Sequence, residues 1–262
     1  DITNPFFSTL ARGVEDAARE AGYPLILGNT DESAAREREH LGALMSHQIN
    51  GLVIAPTVGS EAHLRRLAQR RIPFVLVDRR VPGVEADLVR GDTEAGAQQL
   101  VRHLVEQGYR RIAFVGGTPQ LSSLEDRLGG YRAGVREAGL DEEVRLSGYL
   151  LESGRETAEA LLADGDLPEA VLAANNVVAA GVLAVFRERG VRVPQDVALA
   201  CVDEAESSLV VGPLLTVVRQ PAFEMGRRAM ALLADRIGGA AGPPREVVLP
   251  TELVVRHSTG GR

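Results

Sequence analysis

Six short runs of almost continuously aliphatic residues, at 25–28, 52–55, 74–78, 112–116, 171–174 and 197–203, alternate in this sequence with longer segments of helical period. Strands whose central residues are all apolar have no wet face, so they belong in a parallel sheet covered on both sides. Between them Phe7, Leu10, Val14, Ala17 and Ala21 recur at helical spacing, as do Ala97, Leu100 and Leu104 and, later, Met225, Ala229, Leu232 and Ile237. The pattern predicts repeated βα architecture. Gly22, Gly108, Gly139 and Gly190 stand where helices end before the next strand. Asn4 followed by Pro5 has the form of a helix start, with asparagine as cap and proline in the first turn.

Repetition of this kind could close into a barrel, but the alternation breaks late. After 197–203, the stretch 204–213 is too short and too marked by Gly and Pro for a crossover helix; a strand at 214–219, a helix and an extended segment at 247–256 follow. Such an ending predicts a chain that crosses back between two open sheets. No tract is of low complexity, and the one linker-like stretch is 238–244.

Composition excludes several classes of function. With 45% hydrophobic and 25% charged residues over 262 positions, the chain has ample material for one large core or two smaller ones. No apolar run approaches the roughly 18 residues of a spanning helix. The single cysteine, Cys201, permits neither an intrachain disulfide nor a structural zinc site. All 29 cationic residues are arginine, which removes every lysine-dependent phosphate or Schiff-base chemistry. A net charge of -7 makes these residues a poor direct contact for a polyanion, so nucleic acid would need another module.

In open α/β sheets ligands bind beyond the carboxyl ends of the strands. Those positions hold Asn29 to Asp31, Thr57, Asp78 with Arg79 and Arg80, Gly116 to Thr118, Asn175 with Asn176, Asp203 with Glu204, and Arg219 with Gln220. Carboxylates, amides and guanidinium groups together can both donate to and accept from the hydroxyls of a sugar. Of the adjacent Phe6 and Phe7, only one can point fully into a core, which leaves the other as an apolar platform for a ring. Taken singly, Asn4, Asp92 and Asn175 or Asn176 read more readily as helix caps, and Asp78 with Arg79 could be a local ion pair. Their convergence on one end of the sheet favours a binding site.

The segments Asn4-Pro5-Phe6-Phe7, Val77-Asp78-Arg79, Arg127 with Gly130-Tyr131, Ala174-Asn175-Asn176, 193–198, 216–221 and 249–253 together resemble the LacI/GalR family of bacterial transcription repressors. Their order covers essentially the whole chain. The resemblance implies the type I periplasmic-binding-protein fold, an α/β architecture of two Rossmann-like lobes with parallel sheets joined by three crossovers. It implies an N-terminal lobe at 1–90 plus 222–248 and a C-terminal lobe at 91–221 plus 249–262. A helix-turn-helix headpiece, a hinge helix and an apolar first strand would lie ahead of Asp1, so the resemblance places these residues inside a longer chain acting in the cytoplasm.

Carried over residue by residue, and with a further similarity to the ribose-binding protein, the implied ligand set is Asn4, Phe6, Phe7, Asp78, Arg79, Arg127, Asn175, Asp203 and Gln220. Cys201 and Val202 depart from the usual glycine and aromatic residue, and Asn176 from a frequent aspartate. Ring size is therefore left open. Like charges about 4 Å apart repel by roughly 4 kcal/mol at an effective dielectric of 20, so two carboxylates facing one pocket disfavour an anion. The arginines offset part of this, which leaves a phosphosugar open, but a neutral monosaccharide or polyol is favoured. The resemblance further implies a homodimer that couples sugar binding in the inter-lobe cleft to operator DNA through the headpiece, with no cofactor, no metal and no membrane partner.

Two other readings stand beside this one. An extracytoplasmic sugar receptor of an ABC transporter would share fold and pocket, although segments 193–198 and 249–258 look more like the repressors. An enzyme could use Asp78, Asp203 or Glu204 as acid and base and the Gly116-Gly117 loop as a phosphate cradle. Against it, no GxGxxG follows a strand, GxSxG and HExxH are absent, and His40, His47, His63, His103 and His257 form no metal spacing. Cys201, in an apolar strand, reads as a buried small hydrophobe.

Overall fold

A computed structural model describes residues 1–47, 49–204 and 214–260. Its elements run in the order α1 (Pro5–Glu20), α2 (Ala34–Ser46), β1 (Leu52–Ile54), α3 (Glu61–Gln69), β2 (Phe74–Val77), β3 (Asp87–Gly91), α4 (Thr93–Glu106), β4 (Ile112–Val115) and α5 (Ser122–Glu137). There follow β5 (Glu143–Arg145), α6 (Leu151–Ala163), β6 (Ala170–Ala173), α7 (Asn176–Glu188), β7 (Ala198–Val202), β8 (Thr216–Arg219), α8 (Ala222–Ile237), β9 (Glu246–Leu249), β10 (Glu252–Val254) and a 3-10 turn at His257–Thr259. The chain divides into two compact units. Unit 1 comprises Asp1–Gly91, Leu121–Ser123 and Pro221–Pro250; unit 2 comprises Asp92–Gln120, Leu124–Gln220 and Thr251–Arg262.

Unit 1 is built on a parallel sheet in the order β1-β2-β3-β9. Alternation along β2 sends Val75 and Val77 to one face and Phe74 and Leu76 to the other. The first face receives Phe6, Leu10 and Val14 of α1 with Met225, Ala229 and Leu233 of α8; the second receives Leu41 of α2 with Leu64 and Leu67 of α3. Helices α1 and α8 touch backbone to backbone. A β-carbon on Gly13 would lie 2.0 Å from the Phe223 carbonyl oxygen, and one on Gly226 would lie 2.1 Å from that of Leu10.

Unit 2 orders its strands β10-β8-β7-β6-β4-β5, parallel except for the antiparallel β10. On one face α6 and α7 bury Leu161, Val178, Val182 and Phe186 against Val115, Val171, Leu199 and Val217. On the other, α4 packs on β7 and β8. Tyr131 of α5 donates its hydroxyl to the Ile112 carbonyl (2.7 Å) and accepts the Glu143 amide (2.9 Å), fastening α5 to β4 and β5. The 3-10 turn is tied in by Ser258, which accepts the Thr216 amide (2.8 Å) and donates to the Leu199 carbonyl (2.6 Å).

The expected α/β class is the one found, with differences that have physical causes. Residues 25–28 are not a strand: Leu25, Ile26 and Leu27 are exposed, and β1 pairs only with β2 among the described residues. An apolar run becomes a strand only where it finds an edge to bond, which periodicity does not report. Conversely β3 and β5 escape the sequence reading because they begin with Asp87 and Glu143. The extended segment 247–256 splits at Pro250 into β9, which joins β3 in unit 1, and β10, which joins β8 in unit 2. Proline has no amide hydrogen to continue a ladder, so the break falls there. The reading of 204–213 as too short for a crossover helix falls, beyond Glu204, outside the described residues.

Candidate functional site

Polar side chains at the strand ends of each unit form their own cluster, and the same backbone device presents the central aspartate in both. Asp78 follows β2 with φ +66°, and Asp203 follows β7 with φ +76°. That left-handed region strains most L-residues but is tolerated by aspartate and asparagine. Each residue makes one last ladder bond, Asp78 N–H to the Val89 carbonyl (2.9 Å) and Asp203 N–H to the Val218 carbonyl (2.8 Å). The chain then turns, so each carboxylate belongs to the end of its sheet rather than to a face.

In unit 1 the cluster gathers on Arg79, which is buried. Its Nη1 donates to Glu32 (2.7 Å) and to the Pro56 carbonyl (3.0 Å), its Nη2 donates to the other Glu32 oxygen (2.6 Å), and its Nε lies 3.3 Å from the Asp78 carboxylate. The guanidinium sits 5.8 Å from the centroid of the Phe7 ring, within cation–π range. Phe6 and Phe7 meet edge to face at 5.0 Å, but Phe6 packs into the core with Leu10 and Val75 while Phe7 is half-buried. Asn4 is buried and caps α1, its side-chain oxygen accepting the Phe6 amide (3.0 Å). Unit 1 also holds an apolar cavity of about 400 Å³ beside residues 23–30 and β1; of the predicted ligand set only Phe7 lines it.

The unit 2 cluster centres on Asp203. It accepts from Gln220 Nε2 (2.7 Å) and faces Arg127 Nη2 (3.3 Å), all three side chains being buried. Arg127 also donates to the Ala174 carbonyl (2.8 Å) and lies 5.6 Å from the centroid of the Tyr149 ring. Asn175 caps α7 by accepting the Val178 amide (2.8 Å) and donates to the Tyr149 carbonyl (3.3 Å). Gln220 Oε1 is buried with no hydrogen-bond donor among the described residues. A buried acceptor without a donor costs on the order of 1–3 kcal/mol, and a ligand hydroxyl would remove that cost.

The structure bears out the cap reading for Asn4 and Asn175, whose side-chain oxygens accept helix amides. Sequence reasoning missed Glu32, Tyr149 and the bidentate pair of Glu204 with Arg256 (2.8 and 2.5 Å). It also missed buried Glu37, which accepts the Thr57 amide (2.9 Å) and the Ser60 hydroxyl. The Gly116-Gly117 loop is no phosphate cradle, because its amides are spent on the carbonyls of Arg145 (2.9 Å) and Gly148 (2.6 Å). Burial first, and then the Asp203 carboxylate, push the Cys201 thiol well above its ordinary range, which makes it a poor nucleophile. No metal-ligating cluster occurs among the described residues, and none of their helices is long and apolar enough to cross a membrane.

Residues 101–259 match the family described as periplasmic binding protein-like domain. The chain is 32% identical to the HTH-type transcriptional regulator DegA of Bacillus subtilis, over 99% of this chain and 78% of that protein. It is 33% identical to the ribose operon repressor of Halalkalibacterium halodurans, over 100% and 78%. Among solved structures it is similar to a LacI family transcriptional regulator from Enterococcus faecium with bound ribose, at 28% identity and a TM-score of 0.88, covering 100% of this chain and 97% of that one.

Proposed function

From a chain that belongs to the LacI family of transcriptional regulators and carries a periplasmic-binding-protein-like domain, we propose a sensor that takes one small neutral sugar. The observation that carries this reading is the buried acceptor Gln220 Oε1 beside the Asp203 carboxylate. Acceptors of this kind call for O–H donors, and a polyol offers several in fixed geometry. In the proposed pose Asp78 and Asp203 accept from hydroxyls, Arg79, Arg127, Asn4, Asn175 and Gln220 contribute further polar contacts, and Phe7 covers the C–H face of the ring. Ribose bound to the Enterococcus faecium relative supports a monosaccharide of this size.

Sugar binding changes operator affinity only if the sugar prefers one conformation of the regulator over another. The proposal therefore includes a homodimer whose operator contacts come from a separate headpiece, the effector biasing its arrangement. The relatives named above are regulators rather than transport receptors, which supports the intracellular reading.

A thermal-shift screen against pentoses, hexoses, polyols and their phosphates tests the proposal. A ligand at 100 times its dissociation constant stabilises by about 2.7 kcal/mol, which raises the melting temperature of a chain this size by roughly 5–10 °C. A flat response to every sugar at 10 mM (about the upper end of useful effector concentrations) sinks it.

A further inference from the structure

Arg79 is held by a carboxylate that the sequence gives no reason to associate with it. Glu32 stands 47 residues earlier, in the turn ahead of α2, where it and Asp31 are successive residues at φ +56° and +49°. The turn is tied down by neighbours: Asn29 donates to Asp31 (2.5 Å), Asp31 pairs with Arg36, and Ser33 caps α2. Two consecutive left-handed residues without glycine are costly. The conformation they hold brings the Glu32 carboxylate end-on against both terminal nitrogens of the guanidinium, at 2.7 and 2.6 Å.

The donors of Arg79 can be counted. A guanidinium has five N–H groups, and gripping a carboxylate or phosphate side-on takes two of them in parallel. Both Nη1 hydrogens go to Glu32 and the Pro56 carbonyl, one Nη2 hydrogen goes to Glu32, and the Nε edge faces Asp78. Glu32 thus fills the edge formed by the two terminal nitrogens, and the other edge that could grip an anion, Nε with Nη2, is the one the Asp78 carboxylate faces. Charge points the same way, since this cluster sets two carboxylates against one guanidinium. In unit 2 Arg127 likewise faces a carboxylate, donating to Asp203 and to the Ala174 carbonyl.

We propose that Glu32 is a specificity-determining positioning residue: by occupying the Nη1–Nη2 edge of Arg79 and neutralising its charge it restricts the effector to uncharged sugars and excludes aldonic acids and sugar phosphates. This rests on the sugar-sensing reading and adds a residue and a ligand class to it. A purely structural ion pair would influence all ligands alike. A selectivity filter acts on the ratio between acidic and neutral ligands.

The experiment measures dissociation constants by isothermal titration calorimetry for the matched probes D-ribose and D-ribonate and D-glucose and D-gluconate, with D-ribose 5-phosphate as a second anion. The wild-type protein is expected to prefer the neutral member of the pair it binds by tenfold or more. Glu32→Gln, which keeps the shape and frees the guanidinium from its counter-charge, is expected to shift the acid-to-neutral affinity ratio at least tenfold toward the acid. Glu32→Asp, which retains the charge, is expected to restore the wild-type preference. A wild-type protein that binds the acid as tightly as the neutral sugar overturns the inference even if neither variant folds. So does a Glu32→Gln variant that binds sugar with an unchanged ratio, and in that case the sugar-sensing reading survives. Failure of the wild type to bind any member of either series overturns both.

Discussion

Replacing Asp203 by asparagine isolates what the carboxylate contributes to a ligand. The side chain is buried and already accepts from Gln220 Nε2 at 2.7 Å while facing Arg127 Nη2 at 3.3 Å. Of the roughly four acceptor positions on a carboxylate, at most two remain for hydroxyls. Asparagine suits the left-handed backbone at φ +76° as well as aspartate does, whereas alanine would add strain of about 1–2 kcal/mol. The amide keeps one acceptor and turns the other into a donor, so at least one charge-assisted bond to the ligand is lost. Such bonds are worth about 1.5–3 kcal/mol, equivalent to a dissociation constant weaker by roughly 10-fold to 150-fold. Because Arg127 also loses its counter-charge, the variant melts lower, and calorimetry belongs well below its own melting temperature. Asp196→Asn, on an exposed pair with Arg192, serves as the surface control. A folded Asp203→Asn protein that loses less than tenfold in sugar affinity refutes the assignment of Asp203 to the ligand.

Two further outcomes test the scaffold. Asp87 is fully enclosed and paired with Arg236 and Arg245; burial pushes its carboxyl up, but the hydrogen bonds of both arginines outweigh this and hold it at about 2 against an ordinary 3.8. The folded value being the lower one, the associated stability is complete above about pH 5 and drains as the pH falls toward 2. The shift corresponds to about 2.4 kcal/mol, reduced to roughly 1–2 by solvent around the part-exposed guanidiniums. Urea unfolding of wild type and Asp87→Asn between pH 7 and 2 should show the variant with the shallower acid slope, and equal slopes contradict the pairing. Gly226→Ala places a methyl group 2.1 Å from the Leu10 carbonyl oxygen and should lose about 1–3 kcal/mol of unfolding free energy in urea. Gly42→Ala on α2, with nothing within 4 Å of its added carbon, should gain up to about 1 kcal/mol.

Sequence reading succeeded where a residue's environment is imposed by its neighbours in the chain. Runs such as 74–77 and 198–202 are apolar throughout because both faces of their sheets are covered, and they are strands. It failed where a partner is remote. Asp87 makes β3 look like a loop until Arg236 and Arg245, 149 and 158 residues later, are seen to enclose it. Residues 25–28 have the opposite fault, a strand's composition without a paired edge. At the candidate site, the placement of Asp78 and Asp203 just past β2 and β7 was legible because strand ends can be found. Glu32 lies in a polar run, Asn29 to Glu39, that reads as a solvated surface, and its only local signal is two acidic residues directly ahead of the cap Ser33. No spacing rule ties it to Arg79.

The close seam between α1 and α8 also dictates when unit 1 can finish folding. Its first 91 residues leave the ribosome early, yet the helix that covers Leu10 and Val14 ends at Ile237. At roughly 5–20 residues per second, the roughly 200 residues between the two helices delay that cover by on the order of ten to forty seconds. Throughout this interval the greasy side of α1 has no mate, while strands β4 to β8 of unit 2 emerge in one continuous stretch. Vectorial synthesis therefore makes five of the six strands of unit 2 available for pairing before α8 arrives, and the uncovered face of α1 is the part that waits longest for its partner.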